Sequence, residues 1–359
     1  MAAPVPALPG VMDRDQVAAT AAAIVDVQSD DGAIAWFVGG HLDPWDHVQA
    51  AMGLTVAGCW QDAAAAYRWS RESQRPDGTW AVRYEQGTVT DHATDANFTA
   101  YVATGVWHHW RSTADVDFVR SMWPTVRAAL DAVVAMQRPD GAVAWLRHAD
   151  GRLVAEALVT GNASIHLSLR CGLALAAVVG EPQPEWAFAA ARLRHALDEH
   201  EDAFEPKTRF SMDWYYPVLG GALRADLAHH RLQSRWADFV VEGRGARCVD
   251  DQPWVTGGET AELVLALDAA GRADDALRIL ADVQHLRRSD GTYWTGYQME
   301  QDVFWPDEQT TWTGGTMLLA LDAVTRTTAA HGLFRGEGLP LPTTDVVETD
   351  EECTCRSVA

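Results

Sequence analysis

Gln137-Arg138-Pro139-Asp140-Gly141-Ala142-Val143-Ala144-Trp145 closes a long apolar-periodic segment and opens a loop. The same cassette stands at Gln28-Ser29-Asp30-Asp31-Gly32 with Trp36 following, and at Gln74-Arg75-Pro76-Asp77-Gly78-Thr79-Trp80. It returns at Arg288-Ser289-Asp290-Gly291-Thr292-Tyr293-Trp294, with Gln284 four residues upstream. Asp-Gly is a turn signal, and a glycine in the left-handed conformation stops a helix. Two weaker copies, Phe204 to Trp214 and Gly245 to Trp254, fill the gap between Gly141 and Gly291. A repeat of this length is read before any local feature, because each unit buries its apolar face only against its neighbours. Six helix-loop-helix units in 359 residues predict a ring of six helical hairpins.

The i, i+3/i+4 apolar spacing predicts helices near 13–28, 44–58, 60–74, 92–110, 115–137, 161–179, 184–200, 215–229, 231–240, 257–270, 272–287 and 308–326. The second, fourth and later even members are apolar or small on most faces, as in Leu263-Val264-Leu265-Ala266-Leu267. The odd members carry a charged face, as at Arg192, Arg194, Asp198 and Glu199. A helix apolar all round is buried, and one with a charged face looks outward. The expected fold is therefore all-α, an (α/α)6 toroid with inner and outer helix rings. It is expected over 13–330, after a disordered arm at 1–12 and before an acidic, disordered tail at 331–359.

Net charge is −22 and Lys207 is the only lysine, which excludes a phosphate-backbone surface and disfavours anionic membrane. No apolar run reads as a membrane span, and the start has no secretory pattern, so a cytoplasmic, reduced setting is expected for the five cysteines. Cys353-Thr354-Cys355 reads as two thiols on the tail. There is no zinc-type Cys/His spacing and no glycine-rich phosphate loop, so neither metal nor cofactor is expected.

In such a ring every long loop delivers the chain to the N-terminus of an inner helix. Acids and aromatics recur there: Trp45 and Asp46, Asp91 and Asp95, Asp213, Trp214 and Tyr215, Trp254, then Trp305, Asp307 and Trp312. Single acids serve as helix caps. Two or three acids with Trp and Tyr at most entries suit a sugar, whose apolar face stacks while its hydroxyls bond to carboxylates. Paired carboxylates across a glycosidic bond supply acid and base. Glu156, between Leu153-Val154-Ala155 and Ala157-Leu158-Val159, is the expected acid, and Glu308 the expected base. Asp250 or Asp251 substitutes for either.

On Thr94-Asp95-Ala96-Asn97-Phe98, Trp123-Pro124 and Met136-Gln137 the chain resembles the six-hairpin glycosidase-like superfamily. That resemblance implies inner-helix N-terminal chemistry and inverting hydrolysis of a small carbohydrate. Gln74 to Trp80 also resembles the Gln-x-x-x-Gly-x-Trp repeat of terpenoid cyclases, protein prenyltransferases and actinobacterial proteins labelled "prenyltransferase". That alternative implies an isoprenoid substrate with Asp250 as acid. Cys248, however, stands where the first acid of the cyclase motif belongs, and the prenyltransferase zinc triad is missing. A third reading is a toroid that binds a glycan or a protein partner without turnover.

Overall fold

The computed structural model describes residues 3–340. Its helices are α1 (Arg14–Val25), α2 (Pro44–Val56), α3 (Trp60–Ser73), α4 (Ala96–Ala100) running into α5 (Val102–Thr113), α6 (Val116–Val134), α7 (Val159–Val179), α8 (Pro184–Glu199), α9 (Ser211–Leu219), α10 (Ala225–Ser234), α11 (Trp236–Phe239), α12 (Gly257–Ala269), α13 (Ala273–Asp282) and α14 (Thr311–Thr325). The inner helices α2, α5, α7, α9, α12 and α14 pack each on the next, and α14 returns to α2 and α1. The toroid is thus closed, as the repeats predict.

Closure is made by backbone contact. A Cβ on Gly53 of α2 would lie 2.6 Å from the Cα of Gly315 in α14, so the two helices touch where neither carries a side chain. Thr311 N and Oγ1 donate to Trp36 O and Ala35 O, each at 2.7 Å, which ties the last inner helix to the first long loop.

The cassettes join one hairpin to the next. Gly32, Gly78, Gly141 and Gly291 have φ between +84° and +98°, and each presses on the backbone of the following outer helix, at Ala65, Ala128, Arg192 and Ala19 respectively. No side chain fits there. Gln137 Nε2 donates to Gly141 O and to Ala189 O of α8, both at 2.9 Å. Gln28 and Gln74 do the same toward Asp62 O of α3 and Thr125 O of α6. In the fourth copy Gln284 turns back to Leu280 O, and Thr20 of α1 bonds Gly291 O instead. The glutamine that resembles a prenyltransferase motif is therefore a staple between hairpins. Gln137→Ala removes two hydrogen bonds and leaves two carbonyls short of a donor. At about 1 kcal/mol each, it is expected to cost roughly 2 kcal/mol, read as a lower midpoint in urea.

Four expectations need correction. The loops between hairpins hold short antiparallel sheets, the largest ordered Val303–Phe304, Gly296–Gln298, Trp254–Thr256, Gly245–Arg247 and Val240–Val241. The Gly245–Trp254 copy is thus a β-hairpin, not a helix end. Helix α7 is long and apolar enough to cross a membrane by length and composition, but 78% of that window is buried in the ring. Residues 3–12 are placed: Pro6 and Met12 are buried, and Leu8 pairs with Met12. The packed unit also runs past Ala330. Leu333, Phe334 and Leu339 are buried, and Arg335 pairs with Asp268 of α12. Residues 328–340 cross the ring at the C-terminal ends of the inner helices. The Cys353-Thr354-Cys355 motif and the rest of the acidic tail lie outside the described residues.

Candidate active site

Helix α2 begins with Asp43 as cap and Pro44 at its first position. The Asp43 carboxylate accepts from Trp45 N, Asp46 N and Trp36 Nε1, so it is fully used in holding this entry. Asp46 follows, 8% exposed, and its carboxyl takes no hydrogen bond from the described residues. Burial pushes its pKa well above the ordinary range, and the charges of Asp43, Glu262 and Glu259 add to that. A helix N-terminus opposes the shift, but by only about 0.3–1 kcal/mol, less than one pKa unit. Burial and three carboxylates outweigh it, so this setting favours the protonated form of Asp46 more than water does.

One inner helix, α14, separates α2 from α12, which presents Glu259 and Glu262, three residues apart and on one face. Glu262 is fully buried. It accepts from Tyr215 OH at 2.7 Å, Tyr216 OH at 2.6 Å and Gln49 Nε2 at 3.2 Å, and burial raises its pKa to about 7. Both oxygens of Glu262 are thus held by side chains of α2 and α9. Glu259 stands in the first turn of α12 and is 7% exposed. The Cys248 thiol lies against it, and burial followed by that carboxylate pushes the thiol pKa up.

Aromatic rings enclose these acids. Trp45 meets Tyr216 and Tyr101 edge-on at 5.8 and 5.9 Å, and Phe98 at 6.0 Å. Asp95 caps α4 through Phe98 N, and burial raises its pKa to about 7. Several buried polar atoms at or near the inner-helix entries have no partner among the described residues: Gln49 Oε1, both amide atoms of Asn97, Gln309 Nε2 and Trp312 Nε1. Buried polar groups are ordinarily paired. Those at this end leave donors and acceptors available to a polar ligand.

A cavity of about 440 Å³ adjoins Glu259 at Cys248. Phe210, Trp254 and Trp305 line it with Gln252, Gln298 and Gln301. Trp254 Nε1 donates to Trp305 O at 2.9 Å, which fixes the pair, and the Trp305 indole is 54% exposed.

The other expected site residues fall elsewhere. Glu156 is exposed, and Leu153 beside it is 46% exposed, so the apolar setting expected to keep Glu156 protonated does not exist. Glu308 precedes α14, which starts at Thr311 with Thr310 as cap, so it lacks the helix dipole expected of it. With Asp307 it lines a separate cavity of about 350 Å³ between α1 and α14. Asp250 and Asp251 are ion-paired, to Arg235 at 2.6 Å and Arg209 at 2.8 Å. Neither is the free buried acid that a cyclase needs. Asp91 is exposed and caps Ala93 N. Asp213 accepts from Thr160 Oγ1 at 2.6 Å, and Trp214 turns outward onto Phe239, its N–H donating to Arg231 O. Tyr215 faces inward, onto Glu262. Trp312 packs beside Gly258, next to Glu259.

No family model matches the chain. It is 54% identical over 353 residues to the MMP endo-(1,4)-3-O-methyl-alpha-D-mannosidase of Mycolicibacterium hassiacum, covering 98% of this chain and 97% of that protein. Among solved structures it matches a wild-type glycosidase with a TM-score of 0.69 at 17% identity, over 87% of this chain and 96% of that one. The GH63 mannosylglycerate hydrolase from Thermus thermophilus, in complex with glucose, matches with a TM-score of 0.66 at 15% identity, over 85% and 99%. The two structures bear out the toroid fold.

Proposed function

The chain belongs to the family of the Mycolicibacterium hassiacum endo-mannosidase and is a six-hairpin glycoside hydrolase, and from that premise we propose that it cleaves internal α-1,4 bonds in a mannan bearing 3-O-methyl groups. In this reading Asp46 is the general acid and Glu259 the base. The observation that carries it is the pair of buried acids in the first turns of α2 and α12, close enough for the charge of Glu259 to act on Asp46. Asp46 is buried, without a hydrogen bond to its carboxyl and under the charge of three carboxylates, so it has a proton to give to the leaving oxygen. Glu259 sits in the first turn of α12, so it can accept one from water.

The indoles of Trp254 and Trp305 give a sugar ring an apolar face, and three neutral amides around them suit hydroxyls. An endo enzyme holds sugar units on both sides of the bond it breaks, and this cavity is one such place. Incubation with an α-1,4-linked oligosaccharide of 3-O-methylmannose should release shorter oligosaccharides. Release of single terminal sugars, or none of any size, would contradict the reading. Trp305→Ala removes an exposed stacking face at no cost to the core. It is expected to raise KM roughly tenfold, in line with the 1–3 kcal/mol of an aromatic platform, and to change kcat little.

A further inference from the structure

At the closed end of the ring, opposite the active site, Arg170 of α7 and Arg224 lie side by side. Both pack against Gly221: a Cβ there would be 3.0 Å from Arg170 Nη1 and in collision with Arg224 Nη2. Arg170 is 6% exposed and Arg224 is partly buried. Neither has an ion-pair partner among the described residues, in a chain of net charge −22. Main-chain carbonyls of the crossing segment take only two of their donors. Arg170 Nε bonds Pro340 O at 3.2 Å, and Arg224 Nη2 bonds Phe334 O at 2.9 Å. Arg224 Nη1 is buried without a partner among the described residues, and so is Nε2 of His166, one turn before Arg170. Burial depresses the pKa of both arginines, and for Arg224 the Arg170 charge adds to it.

Two adjacent guanidiniums held by carbonyls and lacking a counter-charge are costly unless an anion meets them. A guanidinium edge fits a carboxylate or phosphate with two parallel hydrogen bonds. We infer that Arg170 and Arg224 form an oxyanion site at the closed end of the ring, independent of the hydrolytic centre. The nearest source is the chain itself. Pro340, already bonded to Arg170, is followed by Asp345, Glu348, Asp350, Glu351 and Glu352. Five extended residues reach at most about 17 Å, so a tethered carboxylate competes strongly with any free anion. Free phosphate offers the same chemistry from outside.

The test compares melting in inorganic phosphate and in chloride at equal ionic strength. Three full-length proteins are used: the wild type, a form with those five acids changed to Asn or Gln, and the same form with Arg170→Met. If the tail fills the site, phosphate leaves the wild-type Tm unchanged and raises that of the neutralised form by about 3–5 °C. Arg170→Met cancels the rise. If the anion is free phosphate, the wild type itself responds. Should Arg170→Met not fold, Arg224→Lys keeps the charge but loses the fork, and phosphate binding by calorimetry should weaken about tenfold. No phosphate response in either the wild type or the neutralised form overturns the site, as does a response that survives both arginine changes.

Discussion

Asp46→Asn and Glu259→Gln should each lower kcat by roughly 10²–10⁴-fold, the range for loss of a general acid or base, with unchanged melting and retained oligosaccharide binding. Both changes keep volume and remove only a proton function. The Asp46 carboxyl takes no hydrogen bond from the described residues, so Asn at 46 breaks none. Glu156→Gln and Glu308→Gln should leave turnover within about twofold, since one is solvated and the other lies between α1 and α14. The pH profile gives a second reading of the same pair. As the proposed general acid Asp46 would work only while protonated, so activity should fall as pH rises through its raised pKa. Glu262 is one of the charges that raise it. Glu262→Gln should therefore move the alkaline limb to lower pH, whereas a merely structural role would leave the limb in place. The sign for stability follows likewise. Glu262 binds its proton more tightly folded, at about 7, than its ordinary 4.5. Its contribution is full below pH 4.5 and is lost as pH climbs toward 7, so the Glu262→Gln protein should lose less stability between pH 5 and pH 8 than the wild type does.

Gly53→Ala is expected to cost far more than its single methyl suggests. The new Cβ would stand 2.6 Å from Gly315 Cα, and backbone cannot swing aside as a side chain can. Overpacking costs about 1–3 kcal/mol where neighbours can shift; here two helices must separate at the point that closes the ring. A fall of roughly 5 °C or more in Tm is expected, at 2–4 °C per kcal/mol. Gly314→Ala, also an inner-helix glycine, is the control. Its Cβ would meet side chains alone, the Thr20 methyl at 3.3 Å and Ile24 at 3.6 Å. Alanine's helix preference of about 1 kcal/mol offsets that, so Gly314→Ala should melt at or above the wild type. Equal effects of the two changes would show that ring closure does not rest on this contact.

The ring was legible because its signals repeat. Asp-Gly cassettes mark the helix ends, and apolar inner helices alternate with charged outer ones. The short sheets were not, because strands of two or three residues are too brief to show alternation. Reading a site from sequence proximity also misled. Asp213, Trp214, Tyr215 and Tyr216 are consecutive on α9, and a helix turns about 100° per residue. Only Tyr215 and Tyr216 reach Glu262, while Trp214 faces the outer ring. Glu308 looked like the start of a helix that begins three residues later. Glu262 was overlooked as a charge inside an apolar helix. Its spacing of three from Glu259 was the available sign, since two acids on one face of a buried helix must be paired or functional. Gln49 and Tyr101 carry no such sign. Their roles arise from the meeting of α2, α5, α9 and α12, which no local pattern encodes.

The most direct test of the Asp46–Glu259 assignment is a crystal structure of the Glu259→Gln protein with an uncleaved α-1,4-linked 3-O-methylmannose oligosaccharide. The account predicts the scissile oxygen within about 2.6–3.2 Å of Asp46 and the residue-259 side chain on the opposite face of that sugar, with a neighbouring sugar against Trp254 and Trp305. An oligosaccharide seated between α1 and α14 beside Asp307 and Glu308, with its scissile bond away from Asp46, would contradict it.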